Sequence, residues 1–244
     1  PSNSGSSAVT GYLASTEDGS FTCQTTSATT CTITGLTNGV GYRFIVTASN
    51  SVGSSVASTP SKIVTPLTVS SAPEGITTLP GIKTVKVSWL TPSSNGGSAI
   101  KGYVVTSSPE NKTCKSSQAN TCTVRGLTAG QNYVFSVAAI NKAGSSQLAY
   151  SLPTAPLGLP SAPTSVTSNS QGGSIAVSWG LPQSNGGSAI LRYQVTSSPA
   201  KYNCTTTNTS CTFGATGNGT KYIFNVVAIN AIGKSPVARS GNTI

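Results

Sequence analysis

The sequence has no histidine and no methionine, and its only acids are Glu17, Asp18, Glu74 and Glu110. Without an imidazole, a serine nucleophile lacks its usual base. A paired-carboxylate site could come only from Glu17 and Asp18, which are neighbours on a predicted turn and point apart. These absences argue against an enzyme, and nothing in the chain calls for a cofactor or a metal. Long apolar runs are missing too, so no segment suits a membrane span, and no charged-then-apolar export signal opens the chain. A chain that begins at Pro1 and lacks methionine reads as a processed or truncated piece whose export signal lies outside it. Charged residues make up only 7%, and the spacing of apolar residues by three and four that marks an amphipathic helix is absent. What remains, dominated by serine, threonine, glycine and asparagine, is an all-β composition.

What is present is a repeat. Ser94-Asn95-Gly96-Gly97-Ser98-Ala99-Ile100 returns unchanged as Ser184-Asn185-Gly186-Gly187-Ser188-Ala189-Ile190. Each copy is followed by a tyrosine, Tyr103 or Tyr193, and by a Thr-Ser-Ser-Pro run ending at Pro109 or Pro199. A worn third copy opens the chain, with Pro1, Gly5, Ser7, Ala8, Val9 and Tyr12 standing 91 positions before Pro92, Gly96, Ser98, Ala99, Ile100 and Tyr103. Self-similarity at a fixed long period marks an array of structural units. It divides the chain into residues 1–66, 67–157 and 158–244, and each full unit is large enough to bury its own core. The marker glycines are no phosphate cradle, since no Walker lysine follows and no helix begins there; they read as a turn.

Six cysteines fall in three pairs: Cys23 with Cys31, Cys114 with Cys122, and Cys204 with Cys211. In every unit the first comes 11 residues after the marker tyrosine, and the second 11 residues before Tyr42, Tyr133 or Tyr222. Tetrahedral zinc needs four close ligands, which two cysteines and no histidine cannot supply. Intra-unit disulfides are the reading that remains, and they place the protein in an oxidising, extracellular setting. Closing a loop of about eight residues contributes roughly 2 to 3 kcal/mol on the chain-entropy account.

Period-two alternation locates the strands. Tyr42, Phe44, Val46 and Ala48 share a face, as do Val85, Val87 and Trp89, and Ile175, Val177 and Trp179. This parity assigns Trp89 and Trp179 to cores rather than to an exposed sugar-stacking platform. Seven short strands per full unit, separated by glycine and proline turns, describe an antiparallel β-sandwich. The run Gly126-Leu127-x-x-Gly130-x-x-Tyr133-x-Phe135-x-Val137-x-Ala139-x-Asn141-x-x-Gly144-x-Ser146 resembles the fibronectin type III domain from its strand E to its strand G, and Trp89 matches that family's strand B tryptophan. The first unit matches from Gly35-Leu36 through Asn50, Gly53 and Ser55. The resemblance covers nearly the whole chain. It implies tandem immunoglobulin-like sandwiches, with Tyr42, Tyr133 and Tyr222 in structural roles and the last two placed like tyrosine corners. The Asn-Gly-Gly marker and paired cysteines further resemble repeats of secreted or surface proteins of bacteria. Two departures stand out: Thr216 replaces the leucine seen at Leu36 and Leu127, which implies looser packing there, and the first unit has no counterpart of Val69 through Thr91 and so lacks its first two strands.

The net charge of +10 is unevenly held, the first unit being neutral and each of the others carrying +5. The basic residues are scattered singly, without interleaved aromatics, which favours solubility over base stacking. An anionic cell-surface polysaccharide remains a possible partner, a specific nucleic acid does not. Asn111, Asn203, Asn208 and Asn218 each head an Asn-x-Ser/Thr triplet, weak ground for glycans in so serine-rich a chain. Two functions stay open: a structural or adhesive module forming a semi-rigid stalk or filament at a cell surface, or an accessory spacer or glycan-binding region of a secreted polysaccharide-degrading enzyme. In either case other repeats, of this or a neighbouring chain, are the expected partners. The uncovered apolar face of the first unit needs strands from preceding residues of a longer array or from a neighbouring subunit.

Overall fold

The computed structural model describes residues 1, 3–214 and 219–243, and these form strands and turns without a helix. Contact density divides them into two compact units. One holds Pro1–Pro73, Pro92–Tyr103 and Ala138–Gln147; the other holds Glu74–Thr91, Val104–Val137 and Leu148–Ile244. The middle repeat contributes to both.

The first repeat forms β1 (Val9–Thr16), β2 (Thr22–Thr25) and β3 (Phe44–Asn50), in one sheet ordered β2-β1-β3. Glycine at position 19 and the Asp18 side chain shape its first turn: the Asp18 carboxylate accepts from the Thr16 hydroxyl, the Ser20 amide and the Ser20 hydroxyl. Residues 31–37 belong to no strand. Tyr42, expected in a core, is only half-buried, and Val46 is 41% exposed, because among the described residues the first repeat has one sheet and no second to cover this face.

The middle repeat runs β4 (Glu74–Gly81), β5 (Thr84–Leu90), β6 (Gly102–Ser108), β7 (Thr113–Ser116), β8 (Thr121–Arg125), β9 (Val134–Ile140) and β10 (Ala149–Tyr150). Its sheets are ordered β4-β5-β8 and β10-β9-β6-β7. The third repeat repeats the plan with β11 (Thr164–Gln171), β12 (Ser174–Gly180), β13 (Arg192–Ser198), β14 (Asn203–Thr206), β15 (Ser210–Gly214), β16 (Ile223–Ile229) and β17 (Ala238–Arg239), in sheets β11-β12-β15 and β14-β13-β16-β17. Ladders are antiparallel, with Val85 opposite Val124 and Ile175 opposite Phe213. Trp89 and Trp179 are each 4% exposed, as strand parity requires. In the third repeat Ile175, Val177 and Trp179 meet Tyr193, Val195, Phe213, Phe224 and Val226 in one apolar cluster. The Thr216 position lies outside the described residues.

Serine completes the last ladder. Ser151 and Ser240 accept the amides of Phe135 and Phe224 on their hydroxyl oxygens, and Ser146 and Ser235 do the same for Ala139 and Ala228, all at 2.9 to 3.0 Å. Each hydroxyl in turn donates a hydrogen bond to the next carbonyl along the chain. All four serines are buried, which accounts for polar residues inside an apolar sandwich.

Candidate functional site

The cysteine pairs are bridged as Cys23–Cys31, Cys114–Cys122 and Cys204–Cys211, and among the described residues none is free. In the two full repeats each bridge joins the edge strand of one sheet, β7 or β14, to the edge strand of the other, β8 or β15. It closes the side of the sandwich where no backbone ladder runs. Among the described residues no three histidine, cysteine, aspartate or glutamate side chains gather as a metal-binding group.

Tyr42 and Tyr133 turn their hydroxyls back to accept the amides of Thr37 and Thr128 at 3.0 Å, the tyrosine-corner bond. The Tyr133 hydroxyl then donates to Glu110 Oε1 at 2.7 Å, and the Thr128 hydroxyl donates to the same oxygen at 2.9 Å. For Tyr222 the equivalent partner falls at Gly217, outside the described residues. The bond from Tyr133 holds the Glu110 carboxyl below its ordinary range, while burial and that same bond push the Tyr133 hydroxyl up. Bonds from Thr16 and Ser20 hold Asp18 at about 2.

Both carboxyls titrate lower in the folded chain than in the unfolded one, so across that window the unfolded chain binds more protons. Their contribution is fully present above the unfolded values, 4.5 for Glu110 and 3.8 for Asp18, and is lost as pH falls through the depressed folded ones. Thermal melts should hold constant from pH 7 to about 5 and then decline toward pH 2. The Glu110→Gln chain should lose the part of that decline belonging to the middle repeat, and an identical pH profile in the two chains would contradict the assignment.

The marker loops do more than turn. Within the first compact unit, the Gly39 amide donates to the Pro66 carbonyl and the Thr68 amide donates to the Gly96 carbonyl, both at 2.9 Å. Within the second, Gly130 donates to Pro156 at 2.9 Å and Gly158 to Gly186 at 2.8 Å. Each linker is thus stitched on one side to the turn that precedes a tyrosine and on the other to the next marker loop. An asparagine locks the assembly: Asn141 Nδ2 donates to the carbonyls of Thr68 and Asn95, and Asn230 Nδ2 to those of Gly158 and Asn185, at 2.8 to 2.9 Å. Both asparagines are 3% exposed, and their Oδ1 atoms accept the two amides of the following turn.

The marker needs glycine for space as well as for backbone angle. Gly96 and Gly186 sit at φ +66° and +69°, and a Cβ on either would collide with the linker carbonyls it faces. A Cβ on Gly187 would lie 2.5 Å from the Pro156 carbonyl oxygen. Sequence reasoning found these glycines as a turn and missed their partners, along with the role of Asn141 and Asn230.

The fibronectin type III domain family matches residues 1–64, 71–155 and 161–243, and the chain belongs to that family. It is similar to mouse fibronectin type-III domain-containing protein 3A, 31% identical over 225 residues, which is 84% of this chain and 18% of that protein. A Kelch domain-containing protein of Saccharolobus solfataricus is 36% identical over 124 residues, covering 49% of the chain and 17% of the relative. Human myomesin-2 is 39% identical over 127 residues, 45% of the chain and 8% of the relative. The chain therefore spans less than a fifth of the length of these curated relatives. Family and relatives fit a repeat module in an all-β, tandem sandwich array.

Proposed function

We propose that this chain is a non-catalytic extracellular module, a semi-rigid segment of a stalk or filament on a bacterial surface, whose work is to hold its neighbours at fixed spacing. The observation that carries the reading is the junction built twice on one plan, in which glycine turn, linker, marker loop and asparagine are joined by backbone bonds. A flexible tether would need none of these. The three disulfides support an oxidising compartment. Tyr150, at 62%, is the one aromatic among the strongly exposed large apolar side chains of the described residues, a poor platform for stacking sugars. Partners are then further repeats of the same kind. The +10 charge confers solubility and at most a weak, salt-sensitive attraction to anionic polysaccharide.

Amide relaxation tests the spacing role. Residues flanking each linker, at 64–70 and 154–160, should be as ordered as the strands, with order parameters near 0.85. Values below about 0.6 across both linkers would mark a tether and sink the proposal.

A further inference from the structure

We infer that the third repeat carries, on the outer face of its β13-β16-β17 sheet, a binding site for a carboxylated sugar, such as one uronic acid unit of an acidic polysaccharide. A cleft of about 370 Å³ opens there, lined by Gln194, Thr196, Asn225, Val227, Lys234 and Val237. Its size falls at the lower end of the range that holds small ligands.

Strand register builds the floor. Gln194 and Thr196 alternate with the buried Tyr193 and Val195, so they face outward. Asn225 stands opposite Thr196 on one side and Arg239 on the other, and Val227 stands opposite Gln194. Facing pairs of this kind hold their Cβ atoms about 4.5 to 5.5 Å apart, which joins the two amides and the hydroxyl into one polar surface. All three side chains are half-buried. The Lys234 ammonium donates to Gln194 Oε1 at 2.9 Å, which orients that amide and leaves its nitrogen as a donor. Among the described residues the Thr196 hydroxyl and the Asn225 side-chain amide have no hydrogen-bond partner.

Charge and chemistry select the occupant. Lys234 and Arg239 are exposed, and no acidic residue follows Glu110 in the sequence, so no carboxylate side chain of the third repeat neutralises them. A carboxylate suits the ammonium and the guanidinium. Ring hydroxyls, each both donor and acceptor, suit Gln194, Thr196 and Asn225, and the CH face of a sugar ring suits Val227 and Val237. An acidic peptide is the poorer occupant. Peptides join sheets by adding a strand at an open edge, and the edge here is β17, two residues long and close behind Pro236. The middle repeat supplies the contrast. Its counterparts of Gln194, Asn225, Lys234 and Arg239 are Val104, Ser136, Ser145 and Tyr150, with Tyr150 facing Ser136 as Arg239 faces Asn225. The same sheet there lacks both amides and both cations, so the fold alone does not account for the site. It is independent of the spacing role.

The test titrates the full, isotope-labelled chain with a short oligogalacturonate and follows the backbone amides. Those at 194–196, 225–227 and 234 should shift and saturate, while their counterparts at 104–106 and 136–138 stay in place. Lys234→Gln should weaken binding about tenfold or more, and Asn225→Ala about twofold or more, with the rest of the spectrum unchanged. The methyl-esterified oligomer keeps the hydroxyls and loses the charge, so it should bind at least about tenfold more weakly. Absence of saturable shifts at these amides would show that the site does not exist. Full affinity in both variants, or equal binding of the ester, would overturn the assignment of its residues. Oligoglutamate of equal charge that moves the same amides as strongly would show that an acidic peptide, and not a sugar, is the occupant. None of these outcomes bears on the order of the linkers, which tests the spacing role separately.

Discussion

Alanine at position 186 will open the junction of the second compact unit while leaving the sandwiches folded. Gly186 sits at φ +69°, where a residue with a Cβ is strained by about 1 to 3 kcal/mol. The Cβ also has nowhere to go, because the atoms it meets are the backbone carbonyls of Gly158 and Leu159, the latter at 2.5 Å, and not the end of a flexible side chain. The linker must move away. That breaks the bond from the Gly158 amide to the Gly186 carbonyl and the bond from Asn230 to the Gly158 carbonyl, each 2.8 Å long. At about 0.5 to 1.5 kcal/mol per bond, the junction loses roughly 2 to 6 kcal/mol in total, which is at least a tenfold rise in its open population. Limited proteolysis within 154–160 should accelerate accordingly, and the linker amides should lose order. The apolar cluster of the third repeat lies away from the change, so its melting should move little. Unchanged cleavage in the linker would show that the marker glycines serve only their own turn.

The array, its strands and its bridges were legible because they rest on local signals. Alternation at Val85, Val87 and Trp89 gives strand parity directly, and fixed offsets from the tyrosines tie the cysteines of the two full repeats to their own strands, while Cys31 of the first repeat lies in none. The junction was half legible. Gly96, Gly97, Gly186 and Gly187 announced a constrained turn, yet the carbonyls they press on belong to linkers whose own sequence, such as Thr65-Pro66-Leu67-Thr68, carries no periodic signal. Asn141 appeared as part of a family pattern, but a pattern does not say that an amide will bond two segments at once. Ser151 and Ser240 were hidden for another reason. In a chain this rich in serine, one buried hydroxyl that completes a ladder looks like any other until the amides of Phe135 and Phe224 are seen beside them. The half-burial of Tyr42 follows from the strands that the first repeat lacks, and could be expected once their absence was noticed.

Removing the Trp179 side chain will cost the third repeat a large share of its stability. The indole is 4% exposed, packs 5.4 Å from the ring of Tyr193, and belongs to the cluster that joins the two sheets. Truncating a buried tryptophan to alanine costs about 3 to 5 kcal/mol. A repeat of this size has a total of only about 4 to 13 kcal/mol. At about 4 to 8 °C per kcal/mol, the third repeat should melt at least about 12 °C earlier. The chain has two tryptophans, so the Trp179→Ala variant keeps Trp89 alone as a fluorescent reporter of the middle repeat. Far-ultraviolet dichroism should therefore show an early transition that Trp89 fluorescence does not follow. Should the two probes coincide at the lower temperature, the repeats melt as one cooperative body, and the junction couples them more strongly than its few hydrogen bonds suggest. Should both coincide at the original temperature, Trp179 is not the core residue its burial describes.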